Sequence, residues 1–297
     1  MSEGTFLAAE IATQPDDWLR VLDVLPSVAM DLPQPGERVA VLGCGTSLFV
    51  AQAYAALRES AGEGSTDAWP ASEHHLGRGY DRVLCITRSG TTTEVLDVLK
   101  QHRDGTPTTV ITADAASPAV SMAHPVVLGD VDERSVVQTR FATTTLALLR
   151  AALGHDLRPV AEQARQVLAR GVDATSPAAT ADQITFLGRG WTVGLAHEAA
   201  LKLRETTQLW TESYPAMEYR HGPLSISAPG RVVWAFGQVP AGLADQVRAT
   251  GAHFEWSEVD PLADLVRVHQ LCLLRAGAAG LDPDRPRHLS RSVILDG

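Results

Sequence analysis

Short apolar runs of strand length alternate along the chain with longer stretches whose apolar residues recur at helical spacing. The first such stretch covers residues 6–29. It is interrupted by Gln14-Pro15-Asp16-Asp17, which predicts a loop and then a second helix with proline near its first turn. The run Val-Ala-Val-Leu-Gly at 39–43 predicts a strand that ends on glycine, passes through the turn Cys44-Gly45-Thr46-Ser47 and enters a helix at 48–60. The cycle repeats: apolar residues after Arg82 lead to Thr87, a hydroxyl-rich turn follows to Thr93, and a helix is predicted at 94–102.

A third strand is expected at 108–112 and a helix at 136–152. Residues 171–182 are small, polar and punctuated by proline, the composition of a linker. A second round follows: strand 183–188, turn Arg189-Gly190-Trp191, helix 196–210, strands at 232–236 and 252–256, and helix 262–276. Strand, turn and helix at these intervals mark β-α-β units in a parallel sheet. The predicted fold class is therefore α/β: a helical segment over 1–30, then two open parallel-sheet domains in tandem, 31–170 and 171–297, each sheet flanked by helices.

Composition narrows the function. With 45% hydrophobic and 20% charged residues over 297 positions, the chain suits a folded, water-soluble protein. A net charge of −10 without a basic cluster disfavours nucleic acid and anionic membrane surfaces as partners. No apolar run approaches the roughly 20 residues that span a bilayer, and the N-terminus has no basic leader, so a cytoplasmic protein is expected. Cys44, Cys85 and Cys272 are widely spaced, which suggests neither a disulfide framework nor a metal cage. The basic residues are 23 arginines and two lysines, so an enzyme-bound imine would have to use Lys100 or Lys202.

The turns Gly45-Thr46-Ser47 and 87–93 each close a strand and open a helix, where free N–H groups and the helix dipole favour an anion. Hydroxyls add short hydrogen bonds and glycine lets the backbone come close. Serine and threonine are equally favoured as helix N-caps with no ligand present. Two such turns at successive strand ends strengthen the case for a phosphate seat, because ligands of open α/β sheets bind at that edge. Neither turn matches a dinucleotide fingerprint or a P-loop. Further on, Glu198, Lys202 and Glu205 stand at i, i+4 and i+7 on one helix face, a pattern that also suits a solvated face. The loop after them carries Glu212, Tyr214, Glu218 and His221 among proline and glycine.

The run GRGWTVGLAHEAALKLRETTQLWTESYPAMEYRHGPLSI at 188–226 resembles the isomerase half of glutamine-dependent glucosamine-6-phosphate synthase and its relatives in the sugar isomerase (SIS) domain family. The likeness extends to Glu10-Ile11, Gln14-Pro15, Gly-Cys-Gly-Thr-Ser at 43–47, Ser-Gly-Thr-Thr-Thr-Glu at 89–94, 136–144 and 282–293, so it covers nearly the whole chain. The resemblance implies two tandem SIS domains, no cofactor and no metal, and a homodimer or higher homo-oligomer acting on a small sugar phosphate. It places Ser47, Thr87, Ser89 and Thr92 on phosphate-binding positions, with Gly45, Thr46, Arg88 and Val136 lining the pocket. Glu205 falls on the base that moves a proton between sugar C1 and C2. His221 falls on the ring-opening group contributed by a neighbouring subunit, and Glu198 and Lys202 on supporting polar positions. Those residue types suit those tasks: proton transfer beside a carbonyl needs a carboxylate in reach, and opening a hemiacetal needs a group titrating near neutral pH.

The sequence departs from the resemblance in three ways. A glutaminase domain is absent from it, Thr87 and Arg88 stand where serine and glutamine are common, and Arg291 stands where the synthase carries the tail lysine that forms an imine. A guanidinium is a poor nucleophile, so Arg291 is expected to act electrostatically or to pair with an acidic surface residue. The expected activity is aldose-ketose isomerisation of a phosphosugar by ring opening and C1–C2 proton transfer. The alternatives are an amino-sugar-phosphate deaminase or deglycase and a phosphosugar sensor without turnover.

Overall fold

The computed structural model describes residues 5–102 and 105–295; residues 1–4 and 296–297, the outer ends of the expected segments 1–30 and 171–297, lie outside the described residues. The chain divides into two compact units. Unit 1 comprises Met1–Pro15, Ser135–Thr139 and Arg158–Leu289; unit 2 comprises Asp16–Arg134, Arg140–Leu157 and Ser290–Gly297.

Helix α1 (Phe6–Val28) contributes its first ten residues to unit 1 and the rest to unit 2. It is continuous, so the break expected at 14–17 does not form. Proline inside a helix leaves the carbonyl four residues back without its N–H donor. Here that acceptor is Ile11 O, and the side-chain amide of Gln14 donates to it at 3.2 Å. The neighbouring residue that looked like part of a turn is thus the one that repairs the helix.

In unit 2, β1 (Val39–Gly43), α2 (Thr46–Ser60), β2 (Thr66–Pro70), β3 (Arg82–Ile86), α3 (Thr93–Gln101), β4 (Thr108–Thr112) and β5 (His124–Val127) are followed by α4 (Arg140–Ala152). The five strands form one parallel sheet in the order β2-β1-β3-β4-β5. Ala40, Leu42, Val83, Cys85 and Val110 pack with Val95, Val98 and Leu99 of α3 on one face. Residues of the other parity, such as Val41, Leu84 and Ile86, are equally buried, as a sheet covered on both faces requires. Helices α2 and α4 pack on each other, and Trp18 of α1, fully buried, donates its indole N–H to Thr143 Oγ1 of α4 at 3.1 Å. Helix α4 starts at Arg140, four residues later than expected. Its Arg140 guanidinium pairs with the buried Asp17 carboxylate at 2.8 Å, and its N–H donates to Glu133 Oε1 at 2.8 Å.

Unit 1 contains α5 (Arg158–Arg170), α6 (Pro177–Thr180), β6 (Gln183–Gly188), α7 (Thr192–Thr207), β7 (Thr211–Pro215), β8 (Arg231–Ala235), α8 (Leu243–Ala249), β9 (His253–Trp256) and α9 (Pro261–Ala278). Its four strands are also all parallel, in the order β7-β6-β8-β9. Helix α5 precedes the segment 171–182 yet packs on α9 within unit 1, and residues 290–295 belong to unit 2. The units are therefore discontinuous in sequence.

The two sheets repeat one order: the first strand of each is flanked by the second and third, and the fourth lies outside the third. They also repeat one constraint. A Cβ on Gly43 would meet the Ser47 carbonyl carbon at 2.5 Å, and one on Gly188 would meet the Thr192 carbonyl oxygen at 2.2 Å. In each case the first turn of the next helix backs onto the end of the first strand, and only glycine leaves room.

Candidate active site

In unit 2 the two hydroxyl-rich turns lie at the carboxyl ends of β1 and β3, as expected. Thr46, Ser47, Thr87, Arg88 and Ser89 are all buried, and Gly45 takes a positive φ of 53° as α2 begins. Gly90, with φ of 61°, lies so close to Ser117 that a Cβ there would reach its Oγ at 2.0 Å. This holds the 87–92 turn tight against the loop after β4. Thr92 occupies the N-cap of α3 yet makes no side-chain capping bond. Its hydroxyl belongs to a cluster instead: Ser89 Oγ accepts from Thr91 Oγ1 at 2.9 Å, and Thr92 Oγ1 lies 3.4 Å from Ser292 Oγ.

Arg88 is almost fully buried and lies 3.4 Å from Glu133 Oε2, itself buried, and burial pushes the guanidinium below its ordinary pKa. A buried charge of this kind is tolerated only where it is paired and hydrogen-bonded. The sequence pointed to Arg88 but not to Glu133, which is 45 residues away and carries no motif. Arg291 also belongs to unit 2, and its guanidinium engages the Asp132 carboxylate and the Glu133 carbonyl. Val136, grouped with the phosphate turns from the resemblance, falls in unit 1, where its N–H donates to the Asp284 carbonyl at 3.0 Å.

Glu198, Lys202 and Glu205 lie in unit 1 on α7, whose alanine, leucine, lysine and glutamate content favours the helix. The helix starts at Thr192, four residues before the expected point, where Thr192 Oγ1 accepts from the Arg189 N–H at 2.8 Å. It ends three residues early because Gln208 adopts a left-handed φ of 58° and returns its N–H to the Arg204 carbonyl. The expected charged face is not a solvated one: the Glu198 and Lys202 side chains are 3% and 1% exposed. Lys202 Nζ lies 2.6 Å from Glu205 Oε2 and 3.6 Å from Glu198 Oε1, so one ammonium is held between two carboxylates.

Of these three, Glu205 is the one that reaches open space. It lines a cleft of about 430 Å³ together with Leu201, Arg204, Leu209, Trp210 and, from the stretch after α9, Arg287, His288 and Leu289. The exposed lining area is mostly apolar, and Glu205 is the one carboxylate among the lining residues.

Helix α9 packs on α7 and brings up a group the sequence did not single out. His269 is fully buried, with Gln14 Nε2 3.2 Å from its Nδ1. An amide nitrogen only donates, so Nδ1 accepts and the ring proton is on Nε2. Burial, and after it the charge of Lys202, pushes the imidazole pKa down to about 3. A histidine inside the apolar spacing of a helix gives no sequence signal of such a role. His221 differs: it is exposed, directly after the short helical turn Glu218–Arg220, whose Tyr219 is buried and anchors the loop. The cysteines are free, and burial raises their thiol pKa values to about 11 for Cys44 and about 12 for Cys85 and Cys272. Among the described residues no group of three or more His, Cys, Asp or Glu side chains is arranged to hold a metal ion, and no helix is long and apolar enough to cross a membrane.

No family model matches the chain. It is 28% identical over 346 residues to the glutamine–fructose-6-phosphate aminotransferase (isomerizing) of Methanothermobacter thermautotrophicus, covering 98% of this chain and 58% of that protein. The protein of the same description from Neisseria meningitidis is 27% identical over 318 residues, covering 87% and 52%. The chain thus spans somewhat more than half the length of these curated relatives. Among solved structures, glucosamine-6-phosphate deaminase from Thermotoga maritima superposes with a TM-score of 0.82 at 24% identity, covering 98% of this chain and all of that one. Tagatose-6-phosphate ketose/aldose isomerase from Escherichia coli gives a TM-score of 0.82 at 20% identity, covering 98% and 96%. These structures share the fold. The likeness read from the motifs at 43–47, 89–94 and 188–226 therefore extends over nearly the whole chain.

Proposed function

We propose that this chain is a sugar-phosphate isomerase whose two parallel sheets are a tandem pair of SIS domains. It would interconvert an aldose and a ketose phosphate by ring opening and C1–C2 proton transfer. The observation that carries the reading is the Glu205 carboxylate, held at 2.6 Å by a buried ammonium and facing an apolar-lined cleft. A carboxylate so placed has the reach of a general base.

In the proposed cycle the exposed His221, contributed by a neighbouring subunit of a homo-oligomer, moves the proton that opens the sugar ring. Glu205 then removes the proton from the carbon beside the carbonyl, and the electron pair flows to the carbonyl oxygen to give an enediolate. Glu205, whose carboxyl proton exchanges with solvent between the two steps, then protonates the adjacent carbon while the remaining hydroxyl proton shifts from one oxygen of the enediolate to the other, so no external oxidant, reductant or cofactor is needed. The charge of Lys202 fixes the direction in which the carboxylate points. Ser47, Thr87, Ser89 and Thr92 would hold the phosphate, with Gly45, Thr46 and Arg88 shaping the seat. The Thr92 hydroxyl, which does not cap its helix, favours that role over capping. The relatives named for fructose 6-phosphate and the neighbours named for tagatose 6-phosphate and glucosamine 6-phosphate define the substrates to screen first. Incubation of hexose 6-phosphates and their 2-amino derivatives in deuterated water, read by proton NMR, tests the proposal. Deuterium should enter C1 or C2 of one of them, and an amine released along with it would mark the deaminase variant of the same chemistry. Turnover with no solvent deuterium at either carbon and no isomer formed would refute it.

A further inference from the structure

The hydroxyl cluster at the α3 turn is not supplied by the turn alone. Ser292 Oγ, 203 residues beyond Ser89, lies 3.2 Å from Ser89 Oγ, 3.0 Å from Thr91 Oγ1 and 3.4 Å from Thr92 Oγ1. The stretch that carries it runs along the turn through polar ties. Arg88 Nη2 donates to the Arg291 carbonyl at 3.0 Å, Thr93 N–H donates to the Val293 carbonyl at 3.1 Å, and Leu295 N–H donates to Thr93 Oγ1 at 2.9 Å. At its start, the Arg291 guanidinium is fastened to Asp132 and the Glu133 carbonyl.

Apolar burial does not account for this placement, since Val293, Ile294 and Leu295 are 52%, 68% and 58% exposed. Ordering such a segment costs conformational entropy that its aliphatic side chains do not repay. The ties at 291, 293 and 295 run through main-chain atoms or the arginine, which leaves Ser292 as the residue whose side chain enters the turn. A serine hydroxyl has one donor and two acceptor sites and rotates freely, so it can aim its O–H at an anionic oxygen. Because the Val293 carbonyl already takes the Thr93 N–H, an anion at this helix end depends more on hydroxyl donors.

We propose that Ser292 is a further hydroxyl of the phosphate seat, and that Arg291, gripping Asp132 and the Glu133 carbonyl, is the positioning residue that keeps it there. The inference rests on the reading of the α3 turn as the phosphate site. Calorimetric titration of the full chain with inorganic phosphate, fructose 6-phosphate and fructose tests it on Ser292→Ala, Arg291→Ala, Arg291→Lys and Ser89→Asp. Ser292→Ala is expected to weaken both phosphate-bearing ligands by about tenfold, the effect of one hydrogen bond to a charged group, and to leave fructose unchanged. Arg291→Ala should weaken them in the same sense, and Arg291→Lys, which keeps a cation for Asp132, should recover part of the loss. If Ser89→Asp abolishes phosphate binding while Ser292→Ala leaves it unchanged or tighter, the role of Ser292 is refuted and the turn survives as the site. If Ser89→Asp has no effect, the phosphate reading of the turn fails and this inference fails with it.

Discussion

Lys202 Nζ and Glu205 Oε2 stand 2.6 Å apart, one turn apart on α7, with the lysine side chain 1% exposed and the glutamate 18%. Position and access are thereby divided between them: the lysine anchors and the glutamate reaches out. Glu205→Gln keeps the shape and loses the base. It should lower solvent deuterium incorporation about 100- to 10,000-fold, the usual worth of general acid–base catalysis, while calorimetric phosphate binding is retained.

Lys202→Met should act on stability as well as activity. It removes the ammonium from between two carboxylates, of which Glu198 is 3% exposed. Breaking a buried pair by deleting one partner typically costs about 3–5 kcal/mol, which urea unfolding would read directly. A loss well under 1 kcal/mol would mean that α7 does not depend on this charge.

His269 gives a pH dependence with a definite sign. Its folded pKa is pushed from 6.5 down to about 3, so the unfolded chain takes up a proton that the folded chain refuses. The contribution is fully present above pH 6.5 and is lost as pH falls toward 3. Stability should drop by about 1.4 kcal/mol per pH unit in this window from this group alone. Equilibrium unfolding of wild type and His269→Gln between pH 7 and 4.5 should show a shallower slope in the variant.

Gly43 and Gly188 predict matched penalties. Alanine at Gly188 drives a methyl into the Thr192 carbonyl and should cost about 3 kcal/mol, with Gly43→Ala similar, as overpacking against backbone does. Gly77→Ala is the control, since nothing lies within 4 Å of its Cβ and a surface change of that kind stays within about 0.5 kcal/mol. Thermal melts of the three variants settle the comparison.

If His221 serves a neighbouring subunit, then Glu205→Gln and His221→Ala proteins, each inactive alone, should regain part of the activity when mixed under conditions of subunit exchange. Exchange demonstrated by native mass spectrometry with no recovered turnover would place both residues in the service of one chain.

The central strands were legible because they are buried on both faces: Val-Ala-Val-Leu at 39–42 and Ile-Thr-Phe-Leu at 184–187 read as near-continuous apolar runs. The edge strands β2, Thr-Asp-Ala-Trp-Pro, and β7, Thr-Glu-Ser-Tyr-Pro, are largely half-exposed and end in proline, so nothing in their pattern separates them from loops. Pro15 misled because its penalty is local while its remedy, Gln14, is invisible until the helix exists. At the site, residues with a spacing relation, such as Glu198, Lys202 and Glu205, could be read from the chain. Glu133, His269 and Ser292 could not, because each meets its partner across 45 residues or more and no short motif encodes such a meeting.

The scarcity of lysine has a practical consequence. Lys100 is 54% exposed and Lys202 is 1% exposed, so an amine-directed reagent marks Lys100 on the native protein and has no path to Lys202. Label arriving on Lys202 therefore records an opening of α7 itself, and its rate of accumulation is a clock for local unfolding of the helix that carries Glu205. The native chain contains its own reporter for that motion, readable by peptide mass mapping without installing a probe.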